Sequence, residues 1–240
     1  MKYLSFILIA AIAFSSCNII DQQRVKGNGK VVSKTYDLKD FSQIDAGESM
    51  EIYISQANEY SVKIETDENL FNYIDVAVHD HQTLEVDTKN DTNLDPTGDV
   101  KVYISAPSLD KVSISGAAQI KTQGKFSQDK QIRIEVSGAS SGNVSLRAPV
   151  IELESTGAST LTADGECRDL KADASGAATI NAFDLKTENA DVDASGASTI
   201  RLFSSVTLNA EASGASGIKY KGSPQITSNV SGASSVDKSQ

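Results

Sequence analysis

An all-β fold, a single-stranded parallel β-helix, is the architecture this sequence predicts, and three observations carry that expectation. A short phrase recurs at Gly116, Gly138, Gly157, Gly176, Gly196, Gly214 and Gly232: each glycine follows Ser or Thr and precedes Ala, then Ser or Ala. The steps between these glycines are 22, 19, 19, 20, 18 and 18 residues, and a period near 20 marks a solenoid with one supersecondary unit per coil. Around each glycine the apolar residues alternate, as in Ile132, Ile134 and Val136 before Gly138, or Leu170, Ala172 and Ala174 before Gly176. Four residues after it stand Ile120, Leu161, Ile180, Ile200, Ile218 and Val236, with Gly142 as the exception. Strand, tight bend, strand is the reading, repeated so that coils stack in parallel.

The chain opens with Lys2, an apolar run from Leu4 to Phe14 and Ser15-Ser16-Cys17. That run is too short to span a bilayer, and it is expected to be a signal peptide over residues 1–16. Cleavage before Cys17 with lipid attached to its thiol resembles bacterial lipoprotein processing, so Cys17 is the expected lipidation site, though Phe14 stands where Leu is usual. Residues 17–30, polar and glycine-bearing, are expected to be a lipidated tether. Without the signal the chain carries 21 basic and 32 acidic residues, a balance that excludes nucleic acid as a partner and leaves the lipid anchor as the expected contact with a membrane. Cys167 would then stand alone, with no intramolecular disulfide to form.

Residues 31–107 lack the phrase but alternate as strands do, for example in Met50-Ile52-Ile54 and Val100-Val102-Ile104. Asp80 to Thr83 reads as a hairpin link, Asp67 to Phe71 as one helical turn, and Asn90 to Gly98 as an exposed loop. This β-rich part is expected to be continuous with the solenoid and to cover its N-terminal end as a cap, with the repeats in residues 108–240.

Phe41-Ser42-Gln43-Ile44-Asp45, Met50 to Gln56, Leu84-Glu85-Val86, Val102 to Leu109 and the repeated Ser-Gly-Ala resemble the head GIN domain family of auto-transporter adhesins. The resemblance covers residues 31–236. It implies a pectin-lyase-like β-helix without a retained catalytic set, often on a lipoprotein of Gram-negative bacteria related to Bacteroides, with adhesion as the suggested role. It supplies no functional residues.

Handedness has two signals. Parallel crossovers favour the right hand, whereas Ile200, Val206, Ala212, Ile218, Pro224, Val230 and Val236 fall at steps of six, the spacing of left-handed hexapeptide helices. The longer early coils break the six, and the right hand is favoured.

Candidate chemistry is sparse. A lyase on this scaffold needs a proton-abstracting Arg or Lys among metal-binding carboxylates, and Arg133, Arg147, Arg168 and Arg201 form no such constellation in sequence. His79-Asp80-His81 offers two zinc ligands without a third, and a hairpin tip facing water is the plainer account. The Gly-containing corners lack the Lys-Ser/Thr ending of a phosphate-binding loop. No Trp is present and aromatics are few, which argues against sugar-stacking platforms.

One column stands out. Three residues before successive glycines come Glu135, Glu154, Asp173, Asp193 and Glu211, flanked by Ser113 and Asn229. If the even positions face the core, these carboxylates climb one exposed face ~4.8 Å apart. They are expected to act as a solvated face or a weak Ca²⁺ site, with no other cofactor. The expectation for the whole is a non-enzymatic outer-membrane lipoprotein, facing the periplasm or the cell surface: an adhesin or binding module for an extracellular protein or glycan, compatible with homo-oligomers. A carbohydrate-active enzyme of the pectin-lyase type and a purely structural envelope protein are the alternatives.

Overall fold

The computed structural model describes residues 24–79, 82–89 and 92–239; the signal segment, Cys17, Asp80 and His81 lie outside them. The N-terminal part holds β1 (Arg24–Lys26), β2 (Val31–Tyr36), β3 (Gln43–Ala46), β4 (Met50–Gln56), β5 (Ser61–Asp67), β6 (Ile74–His79), β7 (Thr83–Thr88), β8 (Asn93–Asp95) and β9 (Val100–Ala106), with one 3-10 turn at Glu68–Tyr73. The repeats supply β10 (Lys111–Ile114), β11 (Gln119–Thr122), β12 (Phe126–Ser127), β13 (Ile132–Val136), β14 (Ser141–Ser155), β15 (Thr160–Ala174), β16 (Thr179–Ala194), β17 (Thr199–Ser204), β18 (Thr207–Ala212), β19 (Gly217–Gly222), β20 (Gln225–Val230) and β21 (Ser235–Lys238).

These strands wind into a parallel β-solenoid. The arm before each corner stacks in the order β7, β3, β10, β13, the second halves of β14, β15 and β16, then β18 and β20. The arm after it stacks β9, β4, β11, the first halves of β14, β15 and β16, then β17, β19 and β21. Alternate side chains point inward, because successive residues of a strand face opposite sides. Ile134, Leu153, Ala172, Val192 and Ala210 thus make one continuous buried column.

Each of the seven repeat corners turns on a glycine with positive φ, for example +74° at Gly196. The next residue's N–H donates upward to the previous corner's glycine carbonyl, as Ala197 does to Gly176 at 2.7 Å. A Cβ built on Gly196 would lie 2.8 Å from that carbonyl oxygen. The fourth corner residue is small for the same reason, and in three corners its hydroxyl bonds to the coil before: Ser159 Oγ donates to Val136 O, Ser198 Oγ to Ala174 O and Ser216 Oγ to Ala194 O. Gly142, the exception in the apolar pattern, sits where Leu161 and Ile120 already fill the space, a Cβ there meeting Leu161 Cδ1 at 2.6 Å.

Several expectations change. Residues 31–107 do more than cap: β3–β4 and β7–β9 are coils of the solenoid, and β3–β4 is inserted between β7–β9 and β10–β11, out of chain order. The phrase is hidden there because the corner residue with positive φ is Glu48, at 60°, which receives the Ala117 N–H. The cap proper is antiparallel: β5 pairs with β9, β2 with β5, and β6 with β7. The tether is shorter than residues 17–30, since β1 pairs with β8 and residues 28–30 are fastened to the 3-10 turn and to Asp67. The same pairing turns part of the expected loop 90–98 into a strand, with Leu94 half-buried on the core. Finally, the steps of six do not consistently mark core positions: Ile200, Ala212 and Ile218 are buried, whereas Val206 is 51% exposed. The last coils are built from two six-residue strands and two corners, so the spacing is a coincidence of length.

Candidate functional site

The acidic column is real and longer than the repeats suggest. Cross-strand register aligns Glu85, Asp45, Ser113, Glu135, Glu154, Asp173, Asp193, Glu211 and Asn229 along the outer face of the arm before the corner. A neighbouring column runs Lys111, Arg133, Glu152, Lys171 and Asp191. On the other side of the carboxylates, next to the corner, stands a column of hydroxyls that includes Ser137, Thr156, Ser175, Ser195 and Ser213.

Charge along this face is distributed unevenly. Arg133 reaches three carboxylates, with Nε 2.6 Å from Glu135, Nη1 3.3 Å from Glu152 and Nη2 2.6 Å from Glu154. Lys111 joins Glu135 at 2.8 Å and Lys171 joins Glu152 at 3.2 Å. Burial alone would raise the Glu135 carboxyl, but Lys111 and Arg133 outweigh it and hold it below its ordinary value. The guanidinium of Arg133 is correspondingly raised, chiefly by its bond to Glu154.

Further along, the compensation stops. Among the described residues no ion pair reaches Asp173, Asp191, Asp193 or Glu211. The Asp173 carboxyl is pushed up, first by burial and then by Asp193 and Glu154. A shallow groove of about 260 Å³ runs along this stretch, lined by Glu154, Asp173 and Asp193 on one side and Thr156, Ser175 and Ser195 on the other. Its chemistry is acceptor-rich and anionic, so it suits a cationic or hydroxyl-bearing ligand. The five carboxylates expected to meet Ca²⁺ are strung along the solenoid and do not converge: among the described residues no three His, Cys, Asp or Glu side chains are placed to hold a metal ion.

The arm after the corner has the opposite character. Tyr53 and Tyr103 stack at 5.1 Å between ring centroids, with Lys63 4.4 Å from the Tyr103 centroid and Lys121 5.9 Å from that of Tyr53. Their ring faces are thus covered by one another and by ammonium groups, which leaves little aromatic surface for a sugar. Tyr53 donates its O–H to Glu51 at 2.7 Å, the main cause of a phenol pKa pushed up to about 12. A second groove, of about 400 Å³, is lined by Asp129, Arg147, Glu166, Cys167, Arg168 and Glu188. There Arg147 pairs with Glu166 at 2.9 Å and Arg168 with Asp169 at 2.8 Å. The Arg168 guanidinium is raised, chiefly by its bond to Asp169, and the Cys167 thiol is raised to about 11, chiefly by burial.

A family model described as "putative auto-transporter adhesin, head GIN domain" matches residues 40–224. The chain belongs to this family. A crystal structure described as a "putative adhesin" from Bacteroides fragilis is similar to this GIN domain at a TM-score of 0.82, with 24% identity over 89% of this chain and 99% of that one. A "putative lipid binding protein" from Parabacteroides distasonis is similar at 0.73, with 19% identity over 91% and 100%. A "putative adhesin" from Parabacteroides merdae is similar at 0.68, with 22% identity over the same shares. At these identities the likeness is one of fold. No curated protein is detectably similar to the chain.

The seven glycines of the GIN domain repeats occupy equivalent corners. His79 ends the β6 strand of the hairpin and lies 3.3 Å from Glu85, both half-exposed; its expected companion His81 is outside the described residues. Asp45 and Glu85 extend the acidic column and were missed in sequence because no glycine phrase flags their coils. Their signal was present: Ile44-Asp45-Ala46-Gly47-Glu48 matches Val192-Asp193-Ala194-Ser195-Gly196 position by position.

Proposed function

We propose that this GIN domain is a non-enzymatic, lipid-anchored binding module of the cell envelope, an adhesin whose ligand-contacting face is the acidic and hydroxyl-bearing arm. The observation that carries this reading is the stretch Asp173, Asp193 and Glu211, which the fold holds in register with no ion pair among the described residues. A stack that keeps like charges next to each other, at a Coulombic cost of about 1 kcal/mol per neighbour even in water, has a use for a positively charged partner. A cationic protein segment can span such a face; Ca²⁺, on which among the described residues no three carboxylates converge, would bind no more tightly than roughly 0.1–1 mM. The family and its adhesin-named structural relatives support a binding role.

Lyase chemistry would have to use an arginine set among carboxylates, as Arg133 is beside Glu135, Glu152 and Glu154 and as Arg147 and Arg168 are in the second groove. A proton-abstracting arginine needs its pKa lowered, whereas Arg168 is raised by Asp169. Ala148, Pro149 and Cys167 line the second groove beside its charged groups, and the lipid-binding description of the Parabacteroides protein is linked to this chain by a likeness of fold alone. Anchoring through Cys17 would hold the module on the outer membrane, facing the periplasm or the outside.

The test of the face is thermal melting with and without Ca²⁺ and with a cationic peptide such as oligolysine. The parent is expected to gain in melting temperature with either, and Asp173→Asn with Asp193→Asn to lose the gain. Equal responses in the two proteins would reduce the column to a solvated face. Protease shaving of intact cells, compared with a Cys17→Ala variant that should leave the membrane fraction, tests the anchor and its side.

A further inference from the structure

Among the described residues β20 pairs only with β18 and β21 only with β19. In register, Ile226 continues Leu208, Ser228 continues Ala210 and Val230 continues Ala212. In the earlier coil these positions are 0–3% exposed, yet Ile226 is 38% and Val230 44% exposed. Every residue of β20 is exposed. Each glycine carbonyl from Gly116 to Gly214 accepts an N–H from the following coil, and among the described residues that of Gly232 accepts none.

Charge distinguishes this end from the rest. The chain carries a net charge of −10, but between Gly222 and Gln240 only Asp237 and Lys238 are charged. The acidic column itself stops, with Asn229 in the place of Glu211. Natural edge strands avoid pairing through lysines, prolines and bulges; Pro224 precedes β20, and β20 itself contains none of these. Two copies of so acidic a chain can approach closely only through a surface without net charge, and this coil is one.

We propose that the coil of β20 and β21 pairs with the same coil of a second copy of this chain, with the two β20 strands antiparallel about a two-fold axis at Ser228. That register is set by side-chain size and sidedness. In an antiparallel pair, directly opposed residues share a face. Centring on Ser228 sets Ile226 against Val230 of the second copy, and Val230 against its Ile226. Two β-branched cross-strand pairs then close the apolar core, with the small serines meeting on the axis. Such a contact is isologous and closes at two copies. It cannot grow into a filament, because the opposite end is covered by β2, β5 and β6. The dimer does not depend on the anchored adhesin reading, but one consequence rests on it. β1 lies at the capped end, paired with β8, so joining the open ends puts the two β1 strands, and with them any anchors, at opposite poles. A pair of that shape would bridge two membranes.

Sedimentation velocity of the purified chain across a concentration series tests the pairing. A dimer is expected for the parent and a monomer with an unchanged circular dichroism spectrum for Ile226→Lys with Val230→Lys, since both side chains are already exposed. Ser228→Cys should give a covalent dimer under oxidising conditions, with the new thiols linked to each other by peptide mapping, because opposed Cβ atoms in such a pair lie about 4.5–5.5 Å apart, near disulfide reach. A parent that is monomeric throughout, or an oligomer that survives both lysines, overturns the proposal. Vesicles carrying the lipidated chain should cluster if the bridging consequence holds; a dimer in solution without clustering would leave the pairing standing and remove the adhesive role.

Discussion

The two ends of the solenoid are made of similar strands and have opposite fates. At the N-terminal end, Leu84 and Val86 of β7 and Val102 of β9 are fully buried, because β5, β2 and β6 fold back across the last parallel coil and Phe71 of the 3-10 turn packs against the core. Phe41 is buried there too, packed edge-on against Tyr60 at 4.8 Å. At the C-terminal end the same kind of positions, Ile226 and Val230, stand half in water. The difference teaches that apolar alternation specifies only which side of a strand faces inward. Whether that side is covered depends on what lies beyond the coil, and a parallel stack has no internal means of ending itself.

The sharpest way to break this comparison is to truncate one residue at each end. Phe41→Ala should cost about 3–5 kcal/mol, read from the urea midpoint. Ile226→Ala, measured where the chain is monomeric, should cost under about 1 kcal/mol, because most of what it removes was never fully withdrawn from water. Equal losses would mean that the bare end is covered in solution or that the cap contributes little.

Between the ends, the corner tests the stacking itself. Gly196→Val puts a β-branched side chain at a φ of +74° with its Cβ 2.8 Å from the Gly176 carbonyl oxygen, and should cost roughly 1–3 kcal/mol. A melting temperature within error of the parent would discard the shared-corner account.

The smallest effects concern pH, and here cap and body should respond with opposite sign. Asp67, in the cap, accepts the Thr97 N–H at 2.8 Å, the Thr97 hydroxyl at 2.8 Å and the Gly29 N–H at 2.7 Å. The Thr97 backbone bond is the main reason its carboxyl is held below the usual value of 3.8. Its stabilisation is therefore complete above that value and is lost as pH falls through the lower folded one. Asp173, in the body, is raised above 3.8 by burial and by its acidic neighbours. It destabilises the fold at neutral pH, and that deficit disappears as pH falls through its raised pKa toward 3.8. Asp67→Asn should consequently be less stable than the parent at pH 7, and Asp173→Asn more stable, with the Asp173→Asn advantage gone near pH 4. Denaturation curves at the two pH values check both. An advantage of Asp173→Asn that persists unchanged at low pH would separate its effect from charge.

The sequence alone determined the repeat and, through it, the faces of the solenoid. A glycine every 18 to 22 residues, with apolar residues at fixed even offsets, leaves little freedom: stacking puts equivalent residues in register, so Glu135, Glu154, Asp173, Asp193 and Glu211 had to share a face. The one helical turn and the β6–β7 hairpin were legible for the same local reasons. Tertiary structure decided what periodicity does not encode. The coil β3–β4 is laid down before β7–β9 yet lies inside it, an ordering set by long-range antiparallel pairing of β5 and β9 and invisible to any pattern within a strand. Glu48 serves as a corner without glycine, so Asp45 and Glu85 joined the acidic column unannounced. Which carboxylates are neutralised was likewise a matter of reach: one guanidinium, Arg133, satisfies three of them because they sit on its own and the adjacent coil, and it lies too far along the stack to pair with Asp193 and Glu211. A sequence lists the charges on a face, but only the distances between coils determine which of them remain uncompensated.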